Sequence, residues 1–216
     1  MIDLSHAVDD VVRRNLSGFE NVDIIQASID SPPLRDGSIG GIVYCHNVIQ
    51  HTPSVERTAK ALFALVAPGG EFVFNCYPKN GQGMVRWVRF YLIYKPLRWL
   101  LSKMPFPFRL FYARLMGLVR LLPVLGTFLE KAGLRVRGDV PVIANEGTVA
   151  RLIRCFHATT LNTFDCFGSH KYQHHKSDAE IRALVHALQP DESKVLNMDK
   201  YFLRPAPIGC ALRIYQ

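Results

Sequence analysis

The 216-residue chain is predicted to fold as an α/β domain built around a parallel sheet. Apolar runs of strand length alternate with helical patterns over residues 1–78. Turn signals separate these runs at Ser31-Pro32-Pro33, Arg35-Asp36-Gly37 and Pro68-Gly69-Gly70. The sequence is 49% hydrophobic and 20% charged, with a mean hydropathy of +0.07, which excludes a disordered chain and suffices for a sizeable core.

The first elements are a strand end, a helix and a second strand. Ile2-Asp3 has the character of the last residues of a strand, and Ser5 is a suitable N-cap for the helix that follows. Gly18 ends this helix, and the β-branched run 22–27 predicts the next strand. The apolar residues at helical spacing are Ala7, Val8, Val11, Val12 and Leu16.

Two further strands flank a helix. Residues 42–47 form an apolar run that predicts a strand buried on both faces. Pro53-Ser54 begins a helix that the Pro68 turn stops, and residues 71–77 are again strand-like. The predicted inner face of the helix contains Val55, Ala59, Leu62, Phe63 and Val66. Strand, helix and strand at this spacing favour parallel pairing through crossover helices.

The remaining chain is predicted to contain an insertion and a closing hairpin. Residues 84–132 have a helical pattern interrupted by prolines, whereas residues 133–170 show no clear pattern. Ser177 caps a helix, and two strands at 194–202 and 208–215 follow it. The apolar face of that helix contains Ile181, Leu184, Val185 and Leu188. We therefore expect one domain over 1–216, with a basic and aromatic insertion at 84–132 and a β-hairpin at 194–216.

The positive charge is concentrated in one stretch. Residues 79–129 contain nine lysines and arginines and no acidic residue, whereas the whole chain has a net charge of +8. The interleaved aromatic residues are Trp87, Phe90, Tyr91, Tyr94, Trp99, Phe106, Phe108, Phe111 and Tyr112. Such a pattern is typical of an anionic membrane surface, a lid over an apolar substrate or a solvated helical cap, and less of nucleic-acid binding.

Cysteine usage and the N-terminus favour a cytoplasmic chain. The five cysteines are scattered and form no CxxC pair, which is typical of reduced, packed thiols rather than of disulfides or metal ligands. The acidic start MIDLSHAVDD lacks the apolar core of a signal peptide, and no apolar run has the length of a spanning helix. We expect a cytoplasmic protein, with peripheral contact at the inner face of a membrane as an option.

The order of these elements resembles one enzyme family. IDLSHAV, ASIDSPPLRDGS, IVYCHNVIQHTP and LFALVAPGGEFVFNCY resemble successive segments of the class I S-adenosylmethionine (SAM)-dependent methyltransferases of the type 11/12 group. The resemblance implies a Rossmann-like sheet closed by a C-terminal antiparallel hairpin. The family's first strand and glycine-rich turn do not precede Asp3, so we expect an N-terminally truncated form or a partner-dependent pseudoenzyme that binds SAM weakly or not at all.

The resemblance also implies which residues line the cofactor cleft. Asp3, with Leu4 beside it, would accept the ribose hydroxyls, unless the carboxylate only stabilises the following helix N-terminus. Ser28 stands where the family commonly has an acidic residue near the adenine, with Asp30 as a substitute, and a plain loop is the alternative. The full set of cofactor-side residues is Asp3, Leu4, Ala27, Ser28, Ile29, Cys45, His46 and Asn47.

Histidine and tyrosine residues are the candidates for contact with the methyl acceptor. His51 could act as a general base, or it could only pack against the following helix. The crowded stretch FDCFGSHKYQHHKSDAEI resembles segments that face the acceptor in some small-molecule methyltransferases, and loop packing is the alternative. A metal site is disfavoured because the stretch lacks regular ligand spacing. The substrate-side residues are Tyr77, His170, Tyr172, His174 and His175.

The resulting functional expectation is SAM-dependent O- or C-methylation of a small, apolar or lipid-linked acceptor. CHNV at the end of the 42–47 run, which resembles the family's fourth strand, differs from the DPPY or NPPY of amino-group methyltransferases. The alternative is a degenerate methyltransferase fold that acts without catalysis as a peripheral membrane or partner-binding module, with residues 84–128 as its contact segment.

Overall fold

The computed structural model describes residues 1–6, 8–78, 84–132, 134, 143–144, 146–196 and 208–213. Contacts divide the chain into two compact units. The first unit combines Met1–Lys79 with Tyr172–Gln216, and the second is Asn80–Lys171. The chain therefore leaves the first unit after its N-terminal third and returns to it for its last segment.

The first unit is built on parallel strand pairs. Its described strands are β1 (Ile2–Asp3), β2 (Ile25–Gln26), β3 (Ile42–Cys45), β4 (Glu71–Pro78), β5 (His175–Lys176), β6 (Glu192–Leu196) and β7 (Ile208–Arg213). β1 pairs in parallel with β2, and β3 pairs in parallel with β4. β7 lies antiparallel between β4 and β6, while β5 adds a short parallel pairing at the end of β4. This confirms the predicted Rossmann-like α/β class and its antiparallel closing hairpin.

Short helical segments connect these strands. They are a π-helical turn (Val8–Val12) that leads into α1 (Arg13–Asn15), a 3-10 turn (Ile49–His51), α2 (Val55–Ala64) and α8 (Asp178–Leu188). The helix predicted after Ser5 is present but short, and Val11 on its predicted apolar face is 50% exposed. The second strand is also shorter than the run 22–27, because only Ile25 and Gln26 pair with β1.

Serine caps begin both long helices of this unit. The Ser54 side chain accepts from the backbone N–H of Arg57, and the Ser177 side chain accepts from that of Glu180. Glu180 returns a bond to the backbone N–H of Ser177 at 2.7 Å, which completes a capping box. These bonds satisfy amide groups that a helix start leaves without partners, so both predicted caps are confirmed.

The core of the first unit lies between β3, β4 and the helices α2 and α8. Its members include Phe72, Phe74, Val55, Ala59, Leu62, Ile181 and Leu184. The rings of Phe72 and Phe74 stack at 4.9 Å between centroids. Fully burying a side chain of this size contributes about 1.5–3 kcal/mol, so this cluster is a main source of the unit's stability.

The prediction that β3 is buried on both faces is wrong. Val43 and Cys45 are buried, whereas Ile42 and Tyr44 are 62% and 67% exposed. Successive side chains of a strand point to opposite faces, so only one face of β3 packs against the core.

The Pro68-Gly69-Gly70 turn places α2 and β4 at close range. Gly69 adopts a φ of 80°, a conformation that favours glycine. A Cβ on Gly70 would lie 2.9 Å from the carbonyl oxygens of both Ala67 and Ile39. Glycine is required at the second position because backbone, rather than a movable side chain, occupies that space.

The second unit is helical among its described residues. Its helices are α3 (Met84–Val88), a π-helical segment (Arg89–Tyr94), α4 (Lys95–Lys103), α5 (Phe106–Arg120), α6 (Pro123–Ala132), α7 (Thr148–Phe164) and a second π-helical segment (Asp165–Ser169). Pro96, Pro107 and Pro123 stand within the first turns of their helices, where a missing N–H costs little. The prolines therefore mark where successive helices begin.

The closest helix packing joins α5 to α7. A Cβ on Gly117 would lie 2.4 Å from Thr160 Oγ1 and 2.9 Å from the ring of Phe156. Arg120 donates to Thr159 Oγ1 at 2.9 Å beside this contact. The absent side chain at Gly117 lets the two backbones approach, and buried threonine hydroxyls line the interface.

Several sequence predictions fall on residues outside the described ranges. These are the outer ends of the two closing strands, at 197–202 and 214–215, and most of the stretch 133–145 that showed no pattern. In the part of the chain that is described, no helix is both long and apolar enough to cross a membrane.

Candidate functional site

The carboxyl end of β3 is joined to the middle of β4 by a reciprocal pair of amides. The backbone N–H of Asn47 donates to Asn75 Oδ1 at 2.6 Å, and Asn75 Nδ2 donates to Asn47 Oδ1 at 2.8 Å. Asn75 is only 3% exposed, and Asn47 has a φ of 55°, in the left-handed region that asparagine tolerates. The pair fixes the backbone turn after β3, at the sheet edge where parallel α/β folds bind ligands.

His51 is held at the start of the next loop by the segment that follows the insertion. Its Nδ1 lies 3.1 Å from the carbonyl oxygen of Tyr172. A carbonyl can only accept, so Nδ1 carries the proton and Nε2 is the basic nitrogen of the neutral ring. In this tautomer the unprotonated Nε2 is the atom through which the ring can act as a general base.

Aromatic rings surround this histidine. The ring of Tyr77 meets that of His51 edge-on at 5.4 Å, and the His175 ring lies 5.9 Å from Tyr77. Tyr77 and His175 are direct partners in the β4–β5 pairing. The structure thus brings together the predicted catalytic residue and two predicted substrate-side residues.

His174 fastens the same segment to the 3-10 turn. Its Nε2 lies 3.0 Å from the carbonyl oxygen of Thr52, and its backbone N–H donates to the Gln50 carbonyl at 2.9 Å. The ring of Tyr172 stacks over that of His174 at 6.3 Å. His174 is therefore a packing residue.

Gln50 is a buried amide within this cluster. Its side chain is fully buried, and neither Nε2 nor Oε1 has a hydrogen-bond partner. An unsatisfied buried polar group costs about 1–3 kcal/mol, so burial of this amide opposes stability in the conformation described.

Cys45 and His46 lie side by side on opposite faces of the strand end. Burial raises the pKa of the Cys45 thiol to about 11, so the thiol is protonated at neutral pH and is no nucleophile. His46 is exposed and stacks on Tyr44 at 5.8 Å between ring centroids. These two residues can contribute backbone and surface to a cleft, but not covalent chemistry by cysteine.

The β1–β2 pair carries the other predicted cofactor residues. The backbone N–H of Ala27 donates to the Asp3 carbonyl at 3.0 Å, which places the two strand ends together. Asp3 Oδ1 accepts from the backbone N–H of Ser5 at 2.7 Å, and Leu4 is 69% exposed. Asp3 therefore supports the following helical turn with one oxygen of an exposed carboxylate.

Asp30 is committed to the fold rather than to a ligand. Thr58 donates to its Oδ1, and Arg57 Nη2 donates to its Oδ2 at 2.9 Å. Ser28 Oγ accepts from the backbone N–H of Asp30 at 3.3 Å, and Ile29 packs against the core. Because both of its oxygens are engaged by α2, Asp30 is poorly placed to replace an acidic adenine contact at Ser28.

His170 belongs to the second unit. Its Nε2 lies 2.8 Å from Asp165 Oδ1, and Ser169 Oγ donates to the same oxygen at 3.2 Å. Arg98 donates to the carbonyl oxygens of Cys166 and His170 at 2.6 and 2.8 Å, and Arg109 donates to that of Gly168. These bonds hold the π-helical end of α7, so two of the predicted basic residues are structural rather than solvated.

Sequence reasoning missed Asn75, Gln50 and Thr52. Asn75 interrupts the apolar strand FVFNCY, and that polar residue in a buried run was a usable signal. Gln50 and Thr52 lie in a short loop beside His51 and gave no comparable signal. Among the described residues, no three histidine, cysteine or acidic side chains are grouped to hold a metal ion.

Comparison with known protein families finds a match in the N-terminal third of the chain. Residues 1–74 match the protein family described as methyltransferase domain. The resemblance inferred from the strand order and the Pro-Gly-Gly turn is thereby confirmed for this segment. No curated protein matches the chain at a significant level.

Solved structures extend the comparison beyond the methyltransferase-domain segment. A possible exported protein from Bordetella parapertussis matches 100% of the chain with 52% of its own length, at 10% identity and a TM-score of 0.50. A SAM-dependent methyltransferase from Methanosarcina mazei matches 100% of the chain with 81% of its own length, at 12% identity and a TM-score of 0.49. The trans-methyltransferase CalH, solved with SAH, matches 37% of the chain at 24% identity and a TM-score of 0.33, and the match spans 24% of its length. At such identities these likenesses concern the fold alone.

Proposed function

We propose that this protein transfers a methyl group from SAM to the oxygen or carbon of a small, apolar or lipid-linked acceptor. The observation that carries the proposal is the methyltransferase-domain match over residues 1–74, which includes the strand ends described above. We also propose that residues 1–216 form one methyltransferase domain into which residues 84–132 are inserted. The discontinuous first unit supports this arrangement.

The residues at the strand ends fit SAM chemically. Asp3 uses one oxygen for Ser5, and a carboxylate has about four acceptor positions, so it can also accept both ribose hydroxyls. Ala27, Ser28 and Ile29 would lie along the adenine, and Cys45, His46 and Asn47 beside the methionine part. SAM, when bound, supplies an electrophilic methyl group on a sulfonium.

His51 is the proposed general base for a hydroxyl acceptor. With Nδ1 donating to Tyr172, Nε2 is the atom that takes the acceptor proton as the new oxygen–carbon bond forms. Tyr77 and His175 border His51 and would contact the acceptor, together with Tyr172. General base help contributes about 10²–10⁴-fold in enzymes that use it, and alignment in a dry site supplies the rest.

The test is transfer of labelled methyl from SAM by the protein as its native gene encodes it, with phenol, quinol and lipid acceptors. We expect His51→Gln to lower kcat about 100-fold while KM for SAM stays the same. We expect Asp3→Asn to raise the Kd for SAM in calorimetry, with Asp36→Asn in an exposed turn as the control. Equal SAM affinity of the two variants would remove Asp3 from the cofactor site.

A second candidate is a peripheral membrane module on the same fold, without catalysis, at the inner face of a membrane. It is favoured by the basic and aromatic segment 84–128, whose exposed side chains include Trp87, Trp99, Phe108 and Phe111. Four free cysteines among the described residues suit a reducing, cytoplasmic compartment. Vesicle binding without any methyl transfer to the acceptors above would favour this candidate.

A further inference from the structure

Helix α5 is apolar on both sides, which a water-exposed helix rarely is. Ala113, Met116 and Gly117 are buried on the side that meets α7. The opposite side carries a line of exposed apolar residues at alternating spacings of three and four. We name this line the α5 stripe; its members are Phe108, Phe111, Leu115, Leu118 and Leu122, which are 64%, 65%, 40%, 54% and 56% exposed.

The apolar surface continues beyond the α5 stripe. The next turn and α6 add Val124, Leu125 and Phe128, which are 86%, 44% and 65% exposed. Together with Leu122 they line an open apolar cup. Exposed apolar area of this extent, on adjacent helices, is typical of a surface that is covered in use.

One exposed cation lies on α5 itself and another lies on the preceding helix, α4. Arg114 lies next to the α5 stripe on the same helix and is exposed. On α4, Lys103 Nζ lies 3.9 Å from the centre of the Trp99 ring, and that tryptophan is 61% exposed. Residues 79–129 contain no acidic residue, and the first acidic side chain on α6 is Glu130, two residues after Phe128.

We propose that the α5 stripe inserts into the headgroup region of an anionic phospholipid membrane, with Arg114 and Lys103 on the lipid phosphates. This deepens the membrane contact and rests on the second proposed function, not on methyl transfer. A helix of 15 residues with an apolar face and cationic rim suits lying in the interface rather than crossing it.

The charge pattern decides between a membrane and a second copy of the chain. Two copies joined through the same stripe would bring Arg114 of each near the other, and α5 itself contains no acidic side chain to offset the repulsion. An anionic lipid surface instead pairs with the exposed cations Lys103 and Arg114. Three of the five stripe residues are leucines, which give no stacking platform for bases, and this disfavours nucleic acid.

The experiment is sedimentation of the full chain with phosphatidylcholine vesicles, with and without an anionic phospholipid, in the absence of SAM. We expect binding to require the anionic lipid and to weaken with salt. Phe111→Ser should lower the partition coefficient about tenfold and Arg114→Gln about fivefold. The matched controls in the first unit are Phe19→Ser, at a residue that is 60% exposed, and Arg35→Gln, which is also exposed; both should bind like the parent.

Each other outcome overturns the proposal. These outcomes are equal binding by Phe111→Ser and Phe19→Ser, equal binding to neutral vesicles, and a dimer in solution that Phe111→Ser dissociates. Since Phe111 is exposed, its serine variant should keep the parent's melting temperature, so lost binding would not be lost folding. Binding is measured without SAM or acceptor, so failure of the methyl-transfer proposal leaves this test unaffected.

Discussion

Replacing Asn75 with aspartate tests the amide pair at the strand ends. At neutral pH the new carboxylate can still accept from the backbone N–H of Asn47, but its second oxygen would face Asn47 Oδ1, where Nδ2 now donates at 2.8 Å. One hydrogen bond, about 1 kcal/mol, is exchanged for oxygen–oxygen repulsion. The carboxylate is also buried at a position that is 3% exposed. We expect Asn75→Asp to lose about 2–4 kcal/mol of unfolding free energy at neutral pH.

The stability of Asn75→Asp should depend on pH in a definite direction. Burial and repulsion favour the protonated acid, so the pKa of the new carboxyl is raised in the folded state. A raised folded pKa means that the folded state binds the proton more tightly, and stability relative to the parent rises as pH falls through that pKa. The protonated carboxyl can then donate to Asn47 Oδ1 and restore the pair.

The assay is urea unfolding followed by circular dichroism at neutral and mildly acidic pH, with hydrogen exchange of the peptide around β3 to locate the change. Asn75→Ala should lose stability without recovering in acid, and Asn21→Asp, at an exposed position, should match the parent. If Asn75→Asp and Asn21→Asp were equally stable at neutral pH, the amide pair would not form as described.

Three further predictions follow from contacts and burial. Gly70→Ala should destabilise the protein by about 1–3 kcal/mol in thermal unfolding, because backbone oxygens occupy the Cβ position, whereas Gly40→Ala, with open space, should not. The hydrogen bond from Lys176 lowers the pKa of the Glu56 carboxyl below its ordinary value. The bond therefore stabilises the folded state at pH values above the ordinary pKa, and this stabilisation is lost as the pH falls through the lowered pKa. Lys176→Gln should abolish this pH-dependent stabilisation, which is below about 1 kcal/mol because Glu56 is 58% exposed. Burial raises the pKa of the Cys166 thiol to about 12 and that of the Cys45 thiol to about 11. Iodoacetamide at mildly alkaline pH should therefore modify the half-buried Cys155 before either of them. Modification of Cys45 at the same rate as Cys155 would contradict the burial described.

Local signals in the sequence predicted the helices and strands, whereas the side-chain contacts of the candidate site depend on residues far apart in the chain. Ser54 and Ser177 are adjacent to the amides they cap, so their roles could be inferred from a few residues of sequence. The pairing of Asn47 with Asn75 joins residues 28 positions apart, and the bond of His51 to Tyr172 joins residues 121 apart. No local pattern encodes such partners. The same reason explains β3, since its exposed face depends on what packs there rather than on its apolar composition.

The basic segment shows a similar division. Its net charge and aromatic content could be predicted from composition, but the sequence could not separate structural from exposed cations. Arg98, Arg109 and Arg120 donate to carbonyl or hydroxyl oxygens within the second unit, while Lys103 and Arg114 remain exposed. Which arginines bind carbonyls depends on where the end of α7 lies, and residues 133–170 gave no pattern from which to place it.

The antiparallel pairing of β4 with β7 has a consequence for how the protein folds. Cys76 pairs with Ile208, about 130 residues later in the chain, and the second unit lies between them. Closing so long a loop costs entropy before the pairing returns any energy, and folding slows as contacts become more distant in sequence. On the ribosome, the second unit can form from contiguous residues while β4 still lacks this neighbour. The first unit should therefore fold more slowly than the second. Its sheet should be the part that most needs chaperones to prevent aggregation during synthesis.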